Sequence, residues 1–355
     1  MPNSEIVLKV EGLCVYFDNG GHFIRAVDGV ELDCWQGQTT AILGESGSGK
    51  TITAKAIMGL IKHTPGVISG RILFGNQDLT ANLEKICRVS NSNYGLTISK
   101  DTNHWHQLLK HRMAPLYGRK LAYIFQEPTR TLDPLLPIGK QIERVAARFS
   151  RAEGAGSRER VLNLLECIDL KPASSYVGRY PYELSTGQCQ RLVVALVLLP
   201  RPRLIIADEP TSSLDVLTQK TVLDYLRSRQ IQDHFAIMLI THSTDLVREY
   251  SQEVVVLFAG RTVERIATPL IDNGSQLHPY TEMLVRSESV RQVQEPAGKE
   301  MIDHSLTGCI YRQRCHYYRQ AQSHLRGLCE SENPPLISIG DGHQVACWKY
   351  QDSAD

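Results

Sequence analysis

Eight consecutive residues, Gly44-Glu45-Ser46-Gly47-Ser48-Gly49-Lys50-Thr51, fit the pattern GxxxxGK[ST] and lie between an apolar stretch, Thr39–Leu43, and a helical run, TITAKAIMGLI. Strand, glycine loop and helix stand in the order that phosphate binding demands. In that order Gly44, Ser46, Gly47 and Gly49 shape a loop whose backbone N–H groups turn inward on phosphate oxygens, and the helix N-terminus adds its positive end. Lys50 then reaches the β and γ phosphates, and the Thr51 hydroxyl ligates Mg²⁺. The rival reading, a flexible Gly/Ser turn, has no need of a strand before it and a helix after it.

A second cluster follows at Leu204-Ile205-Ile206-Ala207-Asp208-Glu209, an apolar run ending in two acids. By itself such an end is an ordinary polar cap. Behind a phosphate loop, Asp208 suits Mg²⁺ and Glu209 suits the general base for water attacking a γ-phosphate. A third apolar run, Ala236 to Ile240, ends in Thr241-His242 and brings a histidine to the same sheet edge.

The elements that must position these groups read as α/β. Short β-rich runs (Ile6–Val10, Thr39–Leu43, Leu121–Phe125, Leu204–Ala207, Ala236–Ile240, Val254–Phe258) alternate with helical stretches, which predicts a sheet largely buried on both faces. Ligands of such sheets bind beyond the strand ends. Residues 1–287 are expected to form this core. Two interruptions lie within it: a polar stretch at about 80–118 without sustained period, read as a surface insertion, and a helical subdomain at about 127–202. Residues 288–307 have linker composition, and 308–355 form a small module holding Cys309, Cys315, Cys329 and Cys347.

Composition narrows the function classes. Lys plus Arg is 39 against 38 for Asp plus Glu, so no polybasic surface for nucleic acid is expected. The longest apolar run, Leu192 to Leu199, is eight residues, against about 20 for a membrane-crossing helix. The N-terminal residues show no secretory signal, so a cytosolic location is expected. Nine cysteines in such a compartment argue against a disulfide framework.

The ordered motif set resembles the ATP-binding subunits of ABC transporters. It comprises the phosphate loop, Gln126 in FQEP, Leu184-Ser185-Thr186-Gly187-Gln188 as signature, Asp208-Glu209, Ser212-Ser213-Leu214-Asp215 as D-loop, and His242 as switch. The resemblance implies a P-loop NTPase core of ABC type that binds ATP and Mg²⁺. Phe17, or its neighbour Tyr16, would stack on adenine, Gln126 would touch Mg²⁺ and water, and His242 would sense the γ-phosphate. It also implies that Ser185 and Gly187 contact ATP held by a second ATPase subunit, with Asp215 at the shared edge.

A narrower resemblance, to the peptide-importer branch, rests on GESGSGK, FQEPTRTLDPLLPIGKQI, YPYELSTGQCQR, IADEPTSSLDV and HPYT. In that branch the GCIYRQRC segment (Gly308–Cys315) with two later cysteines resembles an extension that holds an iron–sulfur cluster. Four thiolates suit a 4Fe-4S cluster or Zn²⁺, and a metal-free tail is the third reading. Thr186 departs from the family's usual glycine, which implies a slower composite site. The implied partners are a paralogous ATPase, two integral-membrane permeases and, through them, a substrate-binding protein, all at the cytoplasmic face of the plasma membrane. Two alternatives stand: the same ATPase with nickel, opine–metal or other small-solute cargo, and a soluble ABC ATPase without a transport role.

Overall fold

The computed structural model describes residues 5–20, 22–92, 95–127, 131–149, 157–212, 214–272, 276–289 and 307–353. The expected linker at 288–307 falls almost wholly outside them. The contacts divide the chain into two units, one of Met1–Val7, Trp35–Gln38 and Arg112–Ile240, the other of Leu8–Cys34, Thr39–His111 and Thr241–Asp355.

The first unit carries three parallel strands, Leu121–Ile124, Leu204–Asp208 and Ala236–Thr241. Leu204–Asp208 lies between the others, in register Leu121↔Leu204 on one side and Ala236↔Leu204 on the other. All their residues are buried, as a parallel sheet covered on both faces requires. Helices Ile138–Phe149, Ser157–Cys167 and Thr186–Leu198 share one apolar core. Ile138 and Ile142 on the first helix, and Cys189, Leu192 and Val193 on the last, face it at helical spacing. Helix Val216–Asp233 follows the strand carrying Asp208 and is capped by the Asp215 carboxylate.

The second unit holds an antiparallel sheet that the sequence reading did not anticipate. Its order is His22–Trp35, Ile6–Asn19, Pro65–Phe74, Gln77–Asp78. The expectation of one doubly buried sheet is thereby corrected. Buried acids break the apolar pattern of His22–Trp35, and distant arginines neutralise them: Arg261 reaches Asp28 at 2.5 Å and Arg265 reaches Asp33 at 2.7 Å.

In the same unit strand Thr39–Leu43 runs parallel to Glu253–Phe258, which pairs antiparallel with Arg261–Ala267. Strand His343–Val345 then adds to Arg261–Ala267, and Ile337–Gly340 to that. Tyr311 and Cys315 are buried in the core that contains Ala41, Leu43 and Phe258. Residues 307–353 therefore extend the core beside the phosphate loop, where an appended module was expected.

The stretch 80–118 is also more ordered than a polar surface insertion. Cys87–Ser92 and Gly95–Lys100 form a hairpin, and helix Thr102–Met113 buries Trp105 and Leu109 one turn apart. Its period is hidden by polar neighbours, among them the exposed His104, Lys110 and His111. Lys100 Nζ donates to the carbonyls of Pro65, at 2.9 Å, and Val67, and lies 4.9 Å from the Trp105 ring centre.

Candidate functional site

In the second unit the fully buried strand Thr39–Leu43 delivers Gly44 to a position where a side chain would collide with the Leu257 carbonyl and with Ser48. Gly49, at φ 100°, caps helix Lys50–Ile57, and a Cβ there would lie 2.7 Å from the Ala26 carbonyl oxygen. Only glycine admits that approach together with that conformation. Ser46 and Gly47 are exposed at the loop's tip, while Lys50 is buried and donates to the carbonyls of Gly44 and Glu45 at 2.7 and 2.8 Å. Thr51 opens the helix next to it. The loop thus exposes its tip at Ser46 and Gly47 and holds one cation against its own carbonyls, a geometry suited to an anion of several charges.

The two aromatic candidates separate clearly. Tyr16 is buried, its hydroxyl donates to Asp28, and burial together with that carboxylate pushes the phenol far above its usual pKa. It is not available for stacking. Phe17 is half-buried, with its ring edge-on to His63 at 5.9 Å.

In the first unit Asp208 ends its strand buried and accepts from the Tyr123 hydroxyl at 2.6 Å. Glu209 follows at φ 45°, a conformation rare for a residue with a side chain. Its backbone N–H donates to the Ile240 carbonyl at 3.0 Å, and its carboxylate accepts from the Gln126 amide at 2.9 Å. The structure therefore brings Gln126 and Glu209 together.

Ser185 caps helix Thr186–Leu198 in a reciprocal box with Gln188. Thr186 is exposed. A Cβ on Gly187 would lie 2.6 Å from the methyl of Thr218, whose hydroxyl donates to Asp215 at 2.7 Å. Those bonds from Thr218 hold the Asp215 carboxyl below its usual pKa. Ser213 of the same segment lies outside the described residues. His242 is exposed at the turn before helix Thr244–Tyr250.

Sequence reasoning missed Tyr123 and Thr218. A lone hydroxyl in the apolar run LAYIF, three positions before Gln126, is the available sign of the first. No local pattern marks the second.

The tail thiols do not assemble the metal site that was considered. Among the described residues no group of three or more His, Cys, Asp or Glu side chains converges to hold a metal ion. Of the four cysteines only Cys309 borders the neighbouring cavity of about 110 Å³. Cys315 Sγ instead caps helix His316–Gln320, accepting from the Tyr318 N–H at 3.4 Å. Burial raises all four thiols, Cys309 to about 11 and Cys347 to about 12, and the other three add to the shift at Cys347.

Residues 27–212 match the profile of the family described as ABC transporter. This chain belongs to that family. The ABC chain is also 31% identical over 354 residues to the dipeptide transport ATP-binding protein DppD of Escherichia coli K12, covering 98% of each. It is 31% identical to the oligopeptide transport ATP-binding protein AppD of Bacillus subtilis, covering 98% of this chain and 97% of that one. Among solved structures, the dimeric ABC cassette MJ0796 bound to ADP and Pi aligns with TM-score 0.56 and 23% identity, over 74% of this chain and 98% of that one. CbiO1 of Clostridium perfringens, part of the ABC transporter complex cbiONQ, aligns with TM-score 0.56 and 25% identity, over 81% and 94%. The chain has the ABC cassette fold and is an ATP-hydrolysing transporter subunit. Among the described residues no helix is long and apolar enough to cross a membrane.

Proposed function

We propose that this ABC ATPase drives a peptide importer, working with a second ATPase subunit, two integral-membrane permeases and, through them, a substrate-binding protein. Its place is the cytoplasmic face of the membrane. The near full-length likeness to DppD and AppD supports the cargo class. Helices between 127 and 202 are read as the subdomain that moves with ATP-driven closure.

The observation that carries the chemistry is Glu209, set at φ 45° just past Asp208 and held at its carboxylate by Gln126. In this reading the glycine loop and Lys50 bind the phosphates, and Phe17 lies against the base. Glu209 takes a proton from the attacking water, which Gln126 orients. Thr51, Asp208 and Gln126 offer hydroxyl, carboxylate and amide oxygens, the hard donors that Mg²⁺ selects. Mg²⁺ held by such donors would neutralise charge on the phosphates. His242 reports the γ-phosphate, and Ser185, Gly187 and Asp215 face nucleotide held by the second subunit.

For the tail, a 4Fe-4S cluster or Zn²⁺ is the finer reading. Its support is that Cys309, Cys315 and Cys329 all lie near enough to Cys347 to raise its thiol, against an arrangement that does not converge as a ligand set. No step of the ATP chemistry depends on it.

The test is reconstitution with the permeases in vesicles. Peptide-stimulated ATP hydrolysis and peptide uptake are expected. Stimulation by nickel or another small solute and not by peptides would reassign the cargo, and failure to associate with any permease would favour the soluble ABC role.

A further inference from the structure

Two segments take no part in the chemistry above: His278–Thr281 (HPYT) and Gly308–Cys315 (GCIYRQRC). Both reach Glu45, the second residue of the phosphate loop. The Arg314 guanidinium donates to both Glu45 carboxylate oxygens, at 2.9 and 2.8 Å, a two-pronged charged pair across 269 sequence positions. The Tyr280 hydroxyl accepts the Glu45 backbone N–H at 2.7 Å. From the loop itself, Lys50 Nζ and the Ser48 N–H donate to the Glu45 carbonyl at 2.8 and 3.2 Å. Glu45 is thus fixed at its N–H, its C=O and its carboxylate.

The two outside partners are held by packing and hydrogen bonds. Tyr280 is fully buried, with its ring centre 4.8 Å from Phe258 and 5.5 Å from Tyr311. The Arg314 guanidinium lies 5.7 Å from the Phe258 ring centre, and its backbone N–H donates to the Tyr311 carbonyl at 3.0 Å. Phe258 ends the strand that runs beside Thr39–Leu43. One aromatic block therefore connects the cysteine-bearing segment to the loop.

We propose that Arg314 and Tyr280 are positioning residues of the phosphate loop, through which the C-terminal segment sets the affinity for nucleotide phosphates. Two effects combine. Fixing Glu45 before binding spares the ordering of the loop when phosphate arrives. Pairing Glu45 with Arg314 also neutralises a carboxylate carried on an anion-binding loop, where an unpaired one would repel the ligand. The second effect scales with ligand charge and distinguishes this role from a merely structural one. The inference rests on reading Lys50 and the glycine loop as the nucleotide site.

The experiment titrates the full chain and its variants with MgATP and MgADP by calorimetry. Arg314→Gln should raise the Kd for ATP about tenfold, with a smaller rise for ADP. Glu45→Gln combined with Arg314→Gln should bind ATP more tightly than Arg314→Gln alone. Tyr280→Phe should raise the Kd about threefold. Wild-type ATP affinity in Arg314→Gln overturns the proposal, and so does a double variant as weak as that single one. Should Arg314→Gln not fold, Arg314→Lys and the double variant carry the comparison, and wild-type affinity in both overturns it. Lys50→Ala separates the two readings: intact ATP affinity there would refute the site itself, while its loss beside an unaffected Arg314→Gln would refute only the clamp.

Discussion

The Tyr123 hydroxyl donates to Asp208 across 2.6 Å, from one parallel strand to the next. Burial and the carboxylate together push the phenol far above its ordinary pKa, so it remains a donor at any working pH. Removing that donor leaves a buried carboxylate oxygen short of one bond. Tyr123→Phe should destabilise the nucleotide-free protein by about 1.5–3 kcal/mol. Thermal melting should show a lowered transition, and an unchanged one would deny the bond any weight.

Glu209→Gln keeps shape and loses proton acceptance. ATP binding should persist while hydrolysis in the assembled complex falls by about 10²–10⁴. Single-turnover kinetics decides this, and near-normal turnover would place the base elsewhere.

Gly187 and Thr218 form a steric lock. Gly187→Ala would set a Cβ 2.6 Å from the Thr218 methyl, costing about 1–3 kcal/mol. Adding Thr218→Ser removes the methyl and keeps a hydroxyl for Asp215. The double variant should regain stability in denaturant melts; equal loss in both would mean the strain lies elsewhere.

Burial lowers the Lys100 pKa from 10.5 to about 8. The unfolded chain then binds the proton more tightly, so the native state is penalised below the folded pKa and recovers stability as pH rises from about 8 to 10.5. The full swing is roughly 3 kcal/mol. Unfolding curves of wild type and Lys100→Met should diverge across that window, and parallel curves would refute the shift.

The raised thiols of the tail predict slow alkylation at neutral pH, against faster labelling at exposed Cys167. Mass spectrometry after brief iodoacetamide treatment checks the order. Metal analysis of anaerobically purified protein separates the causes: about four iron and four sulfide mark a cluster, one zinc marks the alternative, and neither leaves burial as the protection.

The phosphate loop and the Asp208-Glu209 pair were legible because their chemistry demands particular residue types at contiguous positions. Strands Thr39–Leu43 and Leu204–Asp208 were legible because burial on both faces leaves them uniformly apolar. The strand His22–Trp35 was not. Asp28 and Asp33 interrupt it, and the arginines that neutralise them, Arg261 and Arg265, come from 233 and 232 positions away. The clamp on Glu45 was hidden for the same reason. Arg314 is one more arginine in a polar tail until the fold brings it to the loop.

Strand Arg261–Ala267 is covered by His343–Val345, which pairs with it from Glu264 to Ile266. Ribosomes make the chain in the opposite sense to this dependence, since residues 39–267 emerge well before 343–345. A nascent chain stalled near residue 300 would carry a phosphate loop and an uncovered sheet edge at once, and open edges recruit other strands. Truncated products should therefore aggregate or be degraded before they compete with full-length subunits for the membrane complex.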